Sequence, residues 1–195
     1  APGLPEDKLA MYQDALVELD KNQSKAAFEK LIQAQTLLSG ISDNIALDHP
    51  EIQNTRILST AVSLKQQGLE KQSRTIHLDS KTPYGSAFNG AFAKALSNHD
   101  FELNPAIRAT RFRLTLMITL HEGKKIWDQF QYIAKYTYDI NDLWTSNTIT
   151  GGSSQSNAFA ASKEMAAQND VVQAATDIGL ETGKPLEVHL IKNKE

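Results

Sequence analysis

Between Arg108 and Ile140 the chain passes through two consecutive stretches in which apolar and polar residues alternate, and this restricts the fold more than any other feature. In the first, Phe112, Leu114, Leu116, Ile118 and Leu120 hold the even positions; Arg111, Arg113, Thr115, Met117, Thr119 and His121 hold the odd ones. On a helix those apolar residues would scatter around the circumference, so a period of two means an extended strand with one buried face. The second stretch continues the even set with Ile126, Phe130, Tyr132, Ala134, Tyr136, Tyr138 and Ile140, against Gln129, Gln131, Lys135, Thr137 and Asp139. Trp127 and Asp128 stand outside the pattern.

Glu122-Gly123-Lys124-Lys125 separates the two stretches and predicts a hairpin turning there. Residues opposite one another on paired strands share a face, so the two apolar rows coincide only if paired numbers add to an even total. A two-residue turn at Glu122-Gly123 would set Ile118 against Trp127 and Leu116 against Gln129. An odd loop, with Leu120 opposite Ile126 and Leu116 opposite Phe130, keeps one face oily. That face then needs a covering layer.

The 195 residues suffice for one well-filled domain, or for a modest domain with a helical appendage. With 20 basic and 23 acidic side chains interspersed, the net charge of -3 lacks the concentrated basic footprint of a nucleic-acid binder. No apolar run is long enough to span a membrane. Cysteine is absent, which excludes disulfides, thiolate metal sites and thiol nucleophiles. A start at Ala-Pro-Gly-Leu-Pro without Met is that expected of a processed or trimmed chain.

Aromatic residues divide the chain: only Tyr12 and Phe28 precede Tyr84, which predicts two modules meeting near residue 72. Residues 1–72 read as a helical module of three helices. Pro5, Glu6 and Asp7 suit a helix start, with Leu9, Tyr12, Leu16 and Leu19 as its stripe. Ser24 caps a second helix carrying Ala27, Phe28, Leu31, Ala34 or Gln35, and Leu38, and closed by Gly40, forming a helical hairpin with the first. A third starts near Pro50 with Asp48 as its cap, runs on Ile52, Leu58, Ala61, Val62, Leu64 and Leu69, and fades between Gly68 and Ser73. Ala26-Ala27-Phe28 and Asp48-His49-Pro50 resemble tetratricopeptide-type hairpins, but the glycine and second hairpin of that repeat are missing, and plain packing of three helices is the preferred reading.

Residues 73–195 read as an α+β domain. A short strand over Arg74 to Asp79 leads, through a loop at Thr82-Pro83-Tyr84-Gly85, to a helix capped by Ser86 and buried on Phe88, Ala91, Phe92, Ala95 and Leu96. Phe101-Glu102-Leu103 is a second short strand before the hairpin. Asn141 to Ser156, with Gly151-Gly152-Ser153-Ser154, reads as a flexible loop. A helix follows over Asn157 to Leu180, and Leu186 to Ile191 alternates as an edge strand. The expected domain is a two-layer sandwich: a mixed, largely antiparallel sheet with two helices on one face.

Ala87-Phe88-Asn89-Gly90-Ala91-Phe92-Ala93-Lys94-Ala95-Leu96-Ser97 running into Phe101-Glu102-Leu103 resembles the amphipathic helix and short strand of several small bacterial envelope domains. These are the LptE-type lipopolysaccharide-assembly lipoproteins, the penicillin-binding-protein activator lipoproteins, the curli-secretion lipoproteins and the amino-terminal domain of the Tol-Pal translocation protein. Arg113 to Leu120, Gly123 to Trp127 and Tyr136-Thr137-Tyr138-Asp139 are similar to their central hairpin, and Ala158 to Ile178 to their closing helix. The resemblance spans residues 73–180 as a pattern. It implies a non-enzymatic binding or scaffold protein assisting assembly of an envelope complex, periplasmic or outer-membrane-associated; a cytoplasmic setting is the alternative.

Chemical motifs are sparse. His49, His77, His99, His121 and His189 form no metal-ligand spacing, and His121-Glu122 lacks the second histidine of a zinc-protease helix. Gly183-Lys184 is followed by Pro185 where a phosphate loop needs a hydroxyl. No catalytic, cofactor-binding or metal site is assigned. Tyr132, Tyr136 and Tyr138 belong to the core by parity, which leaves Trp127 and Trp144 as the candidates for binding a protein partner. Partner association is expected by sheet-edge addition or through the helical module, with no nucleic acid involved. The alternative function is a helical adaptor or chaperone gripping a peptide or helix of a partner, and an enzyme whose site assembles only in space comes third.

Overall fold

The computed structural model describes residues 53–80 and 82–192, together with Asp14, Val17, Glu29, Lys30, Ile32, Gln33, Ala34 and Thr36. The chain divides into two compact units, Ala1–Gln72 and Ser73–Glu195. In the first unit the early positions just named are helical. Apart from these, the two helices expected before residue 50 lie outside the described residues, as do Asp48 and Pro50. Helix α1 spans Thr55–Gln72. It starts at Thr55 because Asn54 caps it, accepting the Ile57 N–H on Oδ1 at 3.0 Å. Leu58, Val62 and Leu69 are buried at helical spacing, whereas Leu64, expected on the same stripe, is 64% exposed. Two residues beyond Val62, it points to the other side.

The second unit runs β1 (Thr75–Asp79), α2 (Gly85–Ser97), β2 (Glu102–Leu103), β3 (Phe112–Ile126), β4 (Gln129–Asp142), β5 (Asn147–Ala160) and α3 (Lys163–Lys192). The sheet order is β2-β1-β3-β4-β5. Strand β1 is parallel to β2 and β3, whereas β3, β4 and β5 form an antiparallel meander. Parallel β1 and β2 require a crossover, which α2 provides. The alternating rows meet as their parity dictates: Leu116 lies opposite Tyr138, Ile118 opposite Tyr136 and Leu114 opposite Ile140. That face packs against Phe88, Phe92 and Leu96 of α2 and Val171, Ala175 and Ile178 of α3 in one core. Phe88, Phe92, Phe101 and Phe112 are fully buried there.

The hairpin turns at Trp127-Asp128, not at Glu122–Lys125, and Leu120 lies opposite Ala134 rather than Ile126. Its two-residue turn alone would put the rows out of step. A bulge between Glu122 and Lys125 sets Gly123 and Lys124 against Gln131 and restores the even pairing below it. The Lys124 N–H donates to Gln131 Oε1 at 3.3 Å, and a Cβ on Gly123 would come within 2.6 Å of that same oxygen. Beyond the bulge the faces exchange, so Ile126 leaves the oily row and is 44% exposed.

Two expectations fail further on. Asn141 to Ser156 is no loop, since Asn147 onward forms β5, paired with β4 along its length except at Ile149. Glycine and serine are poor strand formers, but here the glycines serve pairing. A Cβ on Gly152 would press on the Tyr138 ring at 3.2 Å, and one on Gly151 would approach the Tyr138 carbonyl at 2.9 Å. The last helix begins at Lys163, so Phe159 belongs to β5, and it continues to Lys192 through the predicted edge strand. Leu186 and Leu190, both buried, are one helical turn apart as well as in alternation. Gly179 and Gly183 of α3 lie against α2 and the turn that follows it: a Cβ on Gly179 would sit 2.5 Å from that of Ala95, and one on Gly183 would overlap the His99 ring.

Candidate functional site: an uncharged sheet edge

The two edges of the sheet differ. One is β2, of 2 residues; the other is β5, of 14. From Leu143 to Ser162 no residue is charged and none is proline. Sheet edges are normally guarded against joining other chains by charges, proline or brevity, and β5 has none of these. Register with β4 puts Thr150, Gly152, Ser154, Ser156, Ala158 and Ala160 on the inner face, and Gly151, Ser153, Gln155, Asn157 and Phe159 on the outer. The outer row is exposed throughout.

Helix α3 holds the inner side of this edge through a polar seam. Ser156 Oγ donates to Asp170 Oδ1 at 2.6 Å, and Asp170 is fully buried. Burial pushes its carboxyl above the ordinary carboxylate range, more than the hydrogen bonds from Ser156 and the Ala134 backbone pull it down; the charge of Asp177 adds to the rise. Farther along, Tyr138 donates its hydroxyl to Glu181 Oε2 at 2.8 Å. Burial and that hydrogen bond hold the phenol protonated far above its usual value. Tyr136 is shifted the same way, chiefly by burial.

At the opposite end of the hairpin, Asp142 is fully buried and gathers three groups. Arg111 donates from Nε at 3.1 Å and from a terminal nitrogen at 2.8 Å, His189 Nε2 lies 2.8 Å from Oδ2, and the Trp144 N–H donates to Oδ1 at 2.9 Å. Burial alone would raise this carboxyl, but the hydrogen bonds from Arg111 and His189 and the charge of Arg111 prevail and hold it below its ordinary value. An ionised carboxylate only accepts, so the imidazole is the donor. This cluster pins β3, β4 and α3 together.

The two tryptophans that the sequence offers, Trp127 and Trp144, stand at opposite ends of the hairpin, separated by the 14 residues of β4. They lie roughly 45 Å apart along the ribbon. Trp127, at the hairpin turn with a left-handed φ of 58°, is 92% exposed. It lines a shallow depression of about 490 Å³ with Ile126, Asp128, Gln129 and Phe159. Trp144 is half-buried, with the Arg111 guanidinium over its ring at 4.7 Å. A second depression, about 450 Å³, lies on the outer sheet face and is lined by Met117, Thr119, Lys135, Thr137, Ser153 and Gln155. Among the described residues no group of three His, Asp or Glu side chains is placed to hold a metal ion, and no helix is long and apolar enough to cross a membrane.

No protein-family model and no curated protein matches the chain. Solved structures do. A Caulobacter crescentus CB15 protein of lipoprotein designation is 13% identical, with a TM-score of 0.43 over 65% of this chain and 96% of its own. A minor lipoprotein from Acinetobacter baumannii is 8% identical, with a TM-score of 0.39 over 57% of this chain and 94% of its own. Lipoprotein GNA1162 from Neisseria meningitidis is 11% identical, with a TM-score of 0.36 over 53% and 96%. These structural neighbours are bacterial lipoproteins under names other than those of the families that the sequence pattern resembles. At such scores the likeness carries no functional argument.

The β5 edge itself was hidden from sequence reasoning by its glycines and serines. The signal that could have found it is the uncharged run from Leu143 to Ser162, out of place in a surface loop. Asp142 and His189 carried no signal, because they converge only in space.

Proposed function

We propose that this chain is a non-enzymatic binding protein that takes on an extended segment of a protein partner along β5 and serves in assembly of a bacterial envelope complex. The observation that carries the binding mode is the long edge strand without charge or proline. Addition of a strand there satisfies a row of backbone groups and needs little from the side chains. The envelope setting, periplasmic or outer-membrane-associated, is supported by the pattern resemblance of residues 73–180. Trp127 and the depression beside it stand at one end of the same edge, positioned to contact whatever is added there.

A photo-crosslinking side chain placed at Gln155 of the full chain, expressed with an export signal, tests this reading. It should capture a polypeptide in the envelope fraction. The same probe at Thr115, on the outer face of β3, should capture little. Equal capture at both positions, or none at Gln155, would overturn it.

A further inference from the structure

We infer that the strand added to β5 is β5 of a second copy, the two running antiparallel about a two-fold axis at Gln155; this rests on the edge-addition reading above. Strand β5 pairs regularly with β4 from Thr150 to Ala160, and a register shift at Ile149 ends the straight stretch. The segment free to pair is therefore Thr150 to Ala160, with Gln155 at its centre. For two copies to keep their inner rows on one side, paired numbers must again add to an even total, which puts the axis on a residue rather than between two.

The chemistry of the two halves matches in this register. On the inner face Thr150 meets Ala160, Gly152 meets Ala158 and Ser154 meets Ser156, small against small throughout. On the outer face Ser153 meets Asn157, and Gln155 meets its own copy, a pair of amides able to exchange hydrogen bonds. Gly151 meets Phe159. An aromatic ring laid over a cross-strand glycine is a favourable pairing, and it covers a phenylalanine otherwise 39% exposed. Strand β5 carries no charge, so pairing it with itself brings no like charges together. The contact is isologous and closes on itself, which leaves no long edge open for further growth at that side.

The chain lacks cysteine, so a single introduced thiol reports position directly. Full-length Gln155→Cys should form a disulfide-linked dimer without reductant, and Ser153→Cys mixed with Asn157→Cys should cross-link more readily than either alone. By sedimentation the native chain should be a dimer, and Ser153→Lys/Asn157→Lys a monomer that still melts cooperatively, its midpoint independent of protein concentration where that of the native chain rises with it. A dimer that survives both lysines, or a Met117→Cys chain that cross-links as fast as Gln155→Cys, places self-association elsewhere and overturns the inference. A monomeric native chain whose Gln155 probe still captures another protein overturns the second copy but leaves edge addition standing. A monomer that captures nothing overturns both.

Discussion

His189, near the end of α3, donates to the carboxylate of Asp142 at the end of β4, with Nε2 2.8 Å from Oδ2. The bond joins the last turns of the long helix to the sheet at a fully buried oxygen that Arg111 also occupies. Its partners hold Asp142 below the ordinary aspartate value of 3.8. The stability it contributes is therefore present above that pH and lost as pH falls through the lower folded value. Asp142→Asn should cost about 3–5 kcal/mol at neutral pH, because Arg111 is left buried without its counter-charge. Urea denaturation at pH 7 and an acid titration followed by circular dichroism would check both, the variant showing the shallower loss below pH 3.8.

Asp170 should behave in the opposite sense. Burial raises its folded value above 3.8, so the folded state favours the protonated form. Its cost grows as pH rises from the ordinary value through the raised one and is complete above it. Asp170→Asn keeps an acceptor for Ser156 and removes the charge. The variant should be more stable than the native chain at pH 7, and the difference should shrink as pH falls, as thermal melts across that range would show.

Gly179 of α3 lies against Ala95 and Phe92 of α2. Valine there would overlap Ala95 and Phe92, and should cost about 1–3 kcal/mol or more. Gly68, with open space around it, is the control: alanine there should stabilise α1 by roughly 0.5–1 kcal/mol. Denaturant midpoints for the two variants would move in opposite directions.

The two tryptophans should separate cleanly. Trp127→Ala should leave stability within about 0.5 kcal/mol, since the ring touches little of its own fold. Trp144→Ala removes the ring beneath the Arg111 guanidinium and should cost at least ~1 kcal/mol. Calorimetric melts would distinguish them; equal losses would mean that Trp127 is not at the surface.

The sandwich was legible where periodicity was strong. The even row from Phe112 to Leu120, its partner from Ala134 to Ile140, and the α2 stripe on Phe88 and Phe92 all occupy the core that their spacing implies. What stayed hidden depended on partners distant in sequence. Gly151 and Gly152 look like loop residues until Tyr138 is seen against them, and nothing local marks Gly179 and Gly183 as the points where α3 meets Ala95 and His99. Pro185 reads as a helix terminator by local rules, yet Leu186, Leu190 and His189 have enough to hold on the sheet side for α3 to continue past it. The turn was misplaced because Gly123 and Lys124 form a bulge, which breaks a strand's alternation as a short turn would.

That extra residue makes the ribbon unevenly tolerant of length change. Deleting Lys124 would let Gly123 face Gln131 alone and leave every pair on either side where it stands. The same deletion at Met117 would rotate the remainder of its strand by half a turn and drive Thr119 and His121 inward. A lineage of such chains could therefore shed or gain a single codon at one spot on β3, and elsewhere on that strand only two at a time.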